Sequence, residues 1–76
     1  MQERPFRATL KDVDGEEYSY DFLAGNLWAV SSHIWETMRT QGDFYGHDPF
    51  RTISLDVSEL YDVADLGSSP IRATRG

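Results

Sequence analysis

The chain has 76 residues, no cysteine, and 13 acids against seven Lys or Arg, a formal net charge of -6. That length makes one small domain, and without thiols no disulfide can reinforce it. Five of the seven bases and all 13 acids fall within the first 67 residues, a balance of about -8 that repels nucleic-acid phosphates and attracts basic surfaces.

The start, Met1-Gln2-Glu3-Arg4-Pro5, lacks the apolar run of a secretory leader. No stretch approaches the ~20 apolar residues of a membrane span. A cytoplasmic location is expected, with no membrane partner.

Phe6 to Ala24 reads as a β-hairpin. Phe6, Ala8 and Leu10 alternate with polar residues, as do Tyr18, Tyr20 and Phe22. A two-residue Asp14-Gly15 turn would set Leu10 opposite Ser19 and Ala8 opposite Asp21, mixing polar and apolar residues on each face. A three-residue loop, Val13-Asp14-Gly15 with Gly15 left-handed, pairs Leu10 with Tyr18, Ala8 with Tyr20 and Phe6 with Phe22. The sequence therefore predicts the longer loop.

Asn26 is placed to cap a helix over Leu27 to Gln41, with Leu27, Val30, Ile34 and Met38 as its apolar stripe and Gly42 as its stop. Trp28 and Trp35 sit on one flank of that stripe; Trp35 is expected in the core and Trp28 at the surface. After a polar loop, Ile53, Leu55 and Val57 alternate as a third strand. Val57, Leu60, Tyr61 and Ala64 then take helical spacing, with Asp56 and Glu59 resembling a capping box. A short second helix is expected there, with a fourth strand as the competitor. The expected fold class is α+β: a small antiparallel sheet with one packed helix (ββαβ) and a short C-terminal helix or strand. Residues 1-67 form the compact domain, and 68-76 are expected as a flexible tail.

Enzyme chemistry is thin. There is no thiol nucleophile, no G-x-S-x-G and no glycine-rich phosphate loop. His33, His47 and Asp48 lack the short paired spacings of a zinc site. An EF-hand loop starting at Asp12 would need glycine at its sixth position and glutamate at its twelfth, which are Glu17 and Leu23. No metal or cofactor and no catalytic residue is expected.

Two surfaces remain as candidates for binding. Asp12, Asp14, Glu16, Glu17 and Asp21 crowd the hairpin, and an acidic projection of that kind fits a Lys/Arg-lined groove. Trp28, Trp35, Phe44, Tyr45 and Phe50 supply aromatic anchors of the type favoured at interfaces, with Trp28 foremost. The protein-binding set is thus Asp12, Asp14, Glu16, Glu17, Asp21 and Trp28.

Over Phe6 to Val57, the ββαβ order with an acidic hairpin and no cysteine is similar to small phage-encoded inhibitors of host defence, the anti-CRISPR proteins. That resemblance implies a non-enzymatic inhibitor acting in the host cytoplasm, with carboxylates standing in for phosphates. Its partner would be a protein with a basic nucleic-acid-binding surface, not nucleic acid itself. The alternative is an accessory or structural interaction module held by its aromatic surface.

Overall fold

The computed structural model describes residues 3-62, 64, 66 and 70-73. Strands β1 (Arg4–Asp12) and β2 (Glu17–Ala24) form the hairpin, and helix α1 (Leu27–Gln41) follows. Strands β3 (Thr52–Glu59) and β4 (Ile71–Ala73) complete a four-stranded sheet of order β3-β1-β2-β4. The β1–β2 and β1–β3 pairs are antiparallel and the β2–β4 pair is parallel. The result is a small α+β fold, a mixed sheet with the helix packed on one face.

Hairpin register follows from face segregation. Leu10 pairs with Tyr18, Ala8 with Tyr20 and Phe6 with Phe22. Gly15 takes φ 84°, a conformation open to glycine. Its N–H donates to the Asp12 carbonyl at 2.9 Å, and the Asp12 N–H donates to the Glu16 carbonyl at 3.0 Å, closing the three-residue loop.

Helix α1 starts where Asn26 stops the strand: the Asn26 side chain accepts a hydrogen bond from the Ala29 N–H at 2.9 Å. It ends at Gly42, left-handed at φ 88°, whose N–H donates to the Met38 carbonyl. Ala29, Val30, Ile34 and Met38 are buried against Phe6, Ala8, Leu10, Phe22 and Ala24. The opposite sheet face carries no helix among the described residues and is polar over Thr9, Lys11, Ser19, Ser54 and Asp56, with Pro5 and Leu23 as an apolar pair at its far end. There Arg7 donates two hydrogen bonds to Asp21, at 2.7 and 3.1 Å, and Thr9 meets Ser19 at 3.1 Å.

Five expectations are corrected. Val57 to Glu59 continue β3, because Val57 pairs with Ala8 and Glu59 with Phe6; ladder hydrogen bonds override the helical spacing, and the Asp56–Glu59 capping box does not form. No α-helix follows among the described residues; Ala64 lies in a 3-10 turn, with its N–H donating to Asp62 Oδ1 at 3.0 Å, and positions 63 and 65 lie outside them. The expected tail supplies β4, in which Ala73 is buried beside Ala24, so the sheet is mixed rather than antiparallel. The stretch 67-69 and residues 74-76 lie outside the described residues. Trp35 is 43% exposed instead of belonging to the core, since 100° per residue turns it away from Ile34. Leu27 is also half out, and Ala29 takes its place on the buried face.

Candidate functional site

The loop between α1 and β3 folds back onto the hairpin tip. The Val13 N–H donates to the Arg51 carbonyl at 2.9 Å, and Arg51 Nη2 donates to Asp14 Oδ2 at 2.7 Å. Phe44 anchors the loop from below. Its ring is buried and stacks on Phe22 (centroids 6.2 Å, 20° between planes), while Tyr20 meets it edge-on at 5.2 Å.

Phe44 and His47 exchange both backbone hydrogen bonds around Tyr45 and Gly46, at φ 49° and 85°. Both central residues have positive φ, the pattern of a type I′ turn. Asp43 Oδ2 accepts from the Gly46 N–H at 2.6 Å. A tyrosine in the left-handed region costs about 1–2 kcal/mol relative to ordinary backbone. Part of that is offset where the Tyr45 ring stacks on Tyr20, with centroids 5.4 Å apart and planes 13° off parallel. The Tyr45 ring is nonetheless 66% exposed.

Tyr20 and Tyr18 link this loop to the strand. The Tyr20 hydroxyl shares a 2.6 Å hydrogen bond with His47 Nε2, and the His47 ring lies 4.7 Å from that of Tyr18. Burial raises the Tyr20 phenol above its ordinary pKa, with a smaller contribution from Tyr45. The Tyr18 hydroxyl donates to Glu16 Oε2 at 2.5 Å. That hydrogen bond, then the carboxylate charge, raises the Tyr18 pKa.

The sequence-derived acids fare differently from one another. Asp12 Oδ1 accepts the Asp14 N–H at 2.6 Å and stiffens the turn. Asp14 is bridged by Arg51, and Glu16 by Tyr18. Glu17 is exposed beside Lys11. These four crown the tip, joined by Asp43 and Asp48 from the loop. Asp21 stands apart: it lies on the open sheet face, held by Arg7, with only 15% of its side chain exposed. Trp28 is 73% exposed but sits at the start of α1, just beyond Ala24. Ala24 pairs with Arg4, at the far end of the hairpin. Eight strand residues at about 3.3 Å each separate the two ends by roughly 25 Å. Trp28 and the acidic tip are not one site.

In their place the fold gathers a different set of partners for the acids. Val13, Tyr18, Tyr45 and Phe50 (93% exposed) all stand at the tip or on the loop docked to it. The hairpin end is therefore both acidic and aromatic. Reading the sequence missed this conjunction because a loop has no periodicity to reveal which strand it returns to. The only local sign was Tyr45-Gly46, a turn pair flanked by aromatic residues. Among the described residues, no three His, Asp or Glu side chains gather as metal ligands, and no helix is long and apolar enough to cross a membrane.

The chain matches no family model, no curated protein and no solved structure. Its function must be argued from this geometry.

Proposed function

We propose that this chain is a non-enzymatic inhibitor that docks its hairpin end on the basic, nucleic-acid-binding surface of a partner protein, in the manner of anti-CRISPR proteins. One observation carries the reading: Asp12, Asp14, Glu16, Glu17, Asp43 and Asp48 share one end of the molecule with exposed Val13, Tyr18, Tyr45 and Phe50, against only Lys11 and Arg51. The carboxylates steer the encounter and occupy the sites of phosphates, which sets the on-rate and the partner class. The apolar rings supply what charge alone does not, a desolvated anchor that slows dissociation. Asp21 and Trp28 are left out of this interface by their positions.

The test starts with affinity capture of the partner from host cells and proceeds to measured affinities. Glu16→Gln with Glu17→Gln keeps the shape and removes two charges; binding should weaken and its dependence on salt should flatten. Nucleic acid and this chain should compete for the partner. A ternary complex of all three, or unchanged affinity of the glutamine pair, would refute the reading.

A second reading, an accessory module held by an aromatic surface, is favoured by Trp28 together with the fully exposed ring of Tyr61 at the end of β3. Loss of partner binding in Trp28→Ala with full binding by the glutamine pair would select it.

A further inference from the structure

Helix α1 and the loop that follows it line a cleft of about 280 Å³. His33, Thr37 and Gln41, four residues apart, give it one row of the helix, and Asp43, Phe44 and Tyr45 line it from the loop. Its volume lies just below the range of cofactor sites and suits a single side chain. The lining is rich in hydrogen-bond acceptors. Asp43 Oδ2 accepts the Gly46 N–H at 2.6 Å, while among the described residues Oδ1 has no partner and no Lys or Arg bridges the carboxylate. Thr37 Oγ1 donates its proton to the His33 carbonyl at 2.7 Å and keeps its lone pairs, and Gln41 is exposed with an amide oxygen. The cleft also sits at the C-terminal end of α1, where the helix dipole is negative. Arg39, the basic residue of that last turn, bonds Glu36 at 2.6 Å and does not line the cleft. Aromatic surface completes the lining. Phe44 is almost fully buried; Tyr20 covers one face of the Tyr45 ring, which stays 66% exposed, so its other face is open. The left-handed backbone at Tyr45 (φ 49°) is a cost that glycine would not carry, and what the tyrosine adds is that ring.

We propose that this cleft receives the side chain of an arginine from the partner's basic surface. A guanidinium has five N–H donors and no acceptor, which matches a lining of carboxylate, hydroxyl and amide oxygens. Asp43 takes its edge, the open face of Tyr45 lies against its plane, and the methylene stem runs over Phe44. A lysine ammonium is a compact, strongly hydrated point charge that does not use carboxylate and ring in this planar way. A nucleotide would meet the rings but is repelled by Asp43 and the acids of the tip. The inference rests on the docking reading above and makes it specific: the tip attracts a basic surface, and the cleft selects arginine within it.

Nuclear magnetic resonance of the isotope-labelled full chain, at constant ionic strength, tests the inference. The probe is a blocked arginine, acetylated and amidated at its backbone ends, with the equally blocked lysine as control. Saturable shifts should centre on His33, Thr37, Gln41, Asp43 and Tyr45, with arginine bound roughly fivefold more tightly than lysine. Asp43→Asn keeps an oxygen for the Gly46 N–H and removes the charge; it should weaken arginine about tenfold. Tyr45→Gly removes the ring together with the backbone cost, so affinity should fall about threefold while the circular dichroism spectrum is unchanged. Glu17→Gln, outside the cleft, should bind the probe as the parent chain does. No saturable shift in the cleft, equal binding of lysine, or indifference to both Asp43→Asn and Tyr45→Gly overturns the inference. The captured partner separates it from the docking reading. Partner binding that weakens in the Glu16→Gln, Glu17→Gln pair but not in Asp43→Asn or Tyr45→Gly overturns the arginine cleft alone.

Discussion

Among the described residues Phe44 is the one large core side chain supplied by a loop, and its removal measures how firmly the hairpin end is held. Its ring is 2% exposed and touches Phe22, Tyr20, His33 and Tyr45. Phe44→Ala deletes that contact set and leaves a cavity, at a cost of about 3–5 kcal/mol. A chain of 76 residues has a total stability of about 4–11 kcal/mol at the usual 0.05–0.15 kcal/mol per residue. The variant therefore keeps about 70% of its stability at best (~8 of ~11 kcal/mol) and at worst is largely unfolded. Phe44→Leu retains most of the volume and should cost about 1–2 kcal/mol. Urea unfolding followed by far-ultraviolet circular dichroism reads both, with the slope showing whether the same surface is still exposed. A loss below about 1 kcal/mol for Phe44→Ala, at unchanged slope, would mean that the loop rests on the core without belonging to it.

Gly15→Ala meets no atom within 4 Å, so its cost is backbone alone, about 1 kcal/mol. The melting temperature should fall by about 4–8 °C, and an unchanged melt would contradict the left-handed turn. A double-mutant cycle on Arg7→Ala and Asp21→Ala should give a coupling of about 0.5–1 kcal/mol, limited because solvent screens the exposed side of Arg7; zero coupling would make the pair ornamental. Tyr18 and Tyr20 have folded pKa values raised above 10.0, so the folded chain holds their protons more tightly than the unfolded chain. Their contribution to stability is full below pH 10 and is lost as pH rises through the raised values. Glu16→Gln should bring the Tyr18 titration, followed by phenolate absorbance, back toward its ordinary value; no movement would deny the Tyr18–Glu16 bond.

The elements most legible in the sequence were those with strong local chemistry. Face segregation decided the hairpin register, and Asn26 and Gly42 fixed both ends of α1 because capping is a short-range event. Beyond Asp56 two periods overlapped, and local spacing could not register that Val57 had Ala8 waiting as its ladder partner. Ile71 to Ala73 is too short to announce itself and becomes a strand only because β2 offers a free edge. For the candidate site, the acids were visible as composition. Their company was not, since Tyr45 and Phe50 reach the tip through the burial of Phe44, a tertiary event.

The hairpin turn also governs how this chain ages chemically. An aspartate followed by glycine is prone to cyclise: the glycine nitrogen attacks the side-chain carboxyl, water is lost, and hydrolysis of the ring returns mostly isoaspartate, with an extra carbon in the backbone. Attack needs that nitrogen free and the carboxyl able to swing over it. Here the Gly15 N–H is committed to the Asp12 carbonyl, while Arg51 holds the Asp14 carboxylate at 2.7 Å. The folded turn thus protects its own most labile bond, and damage at Asp14 accumulates in proportion to the time that the tip spends open.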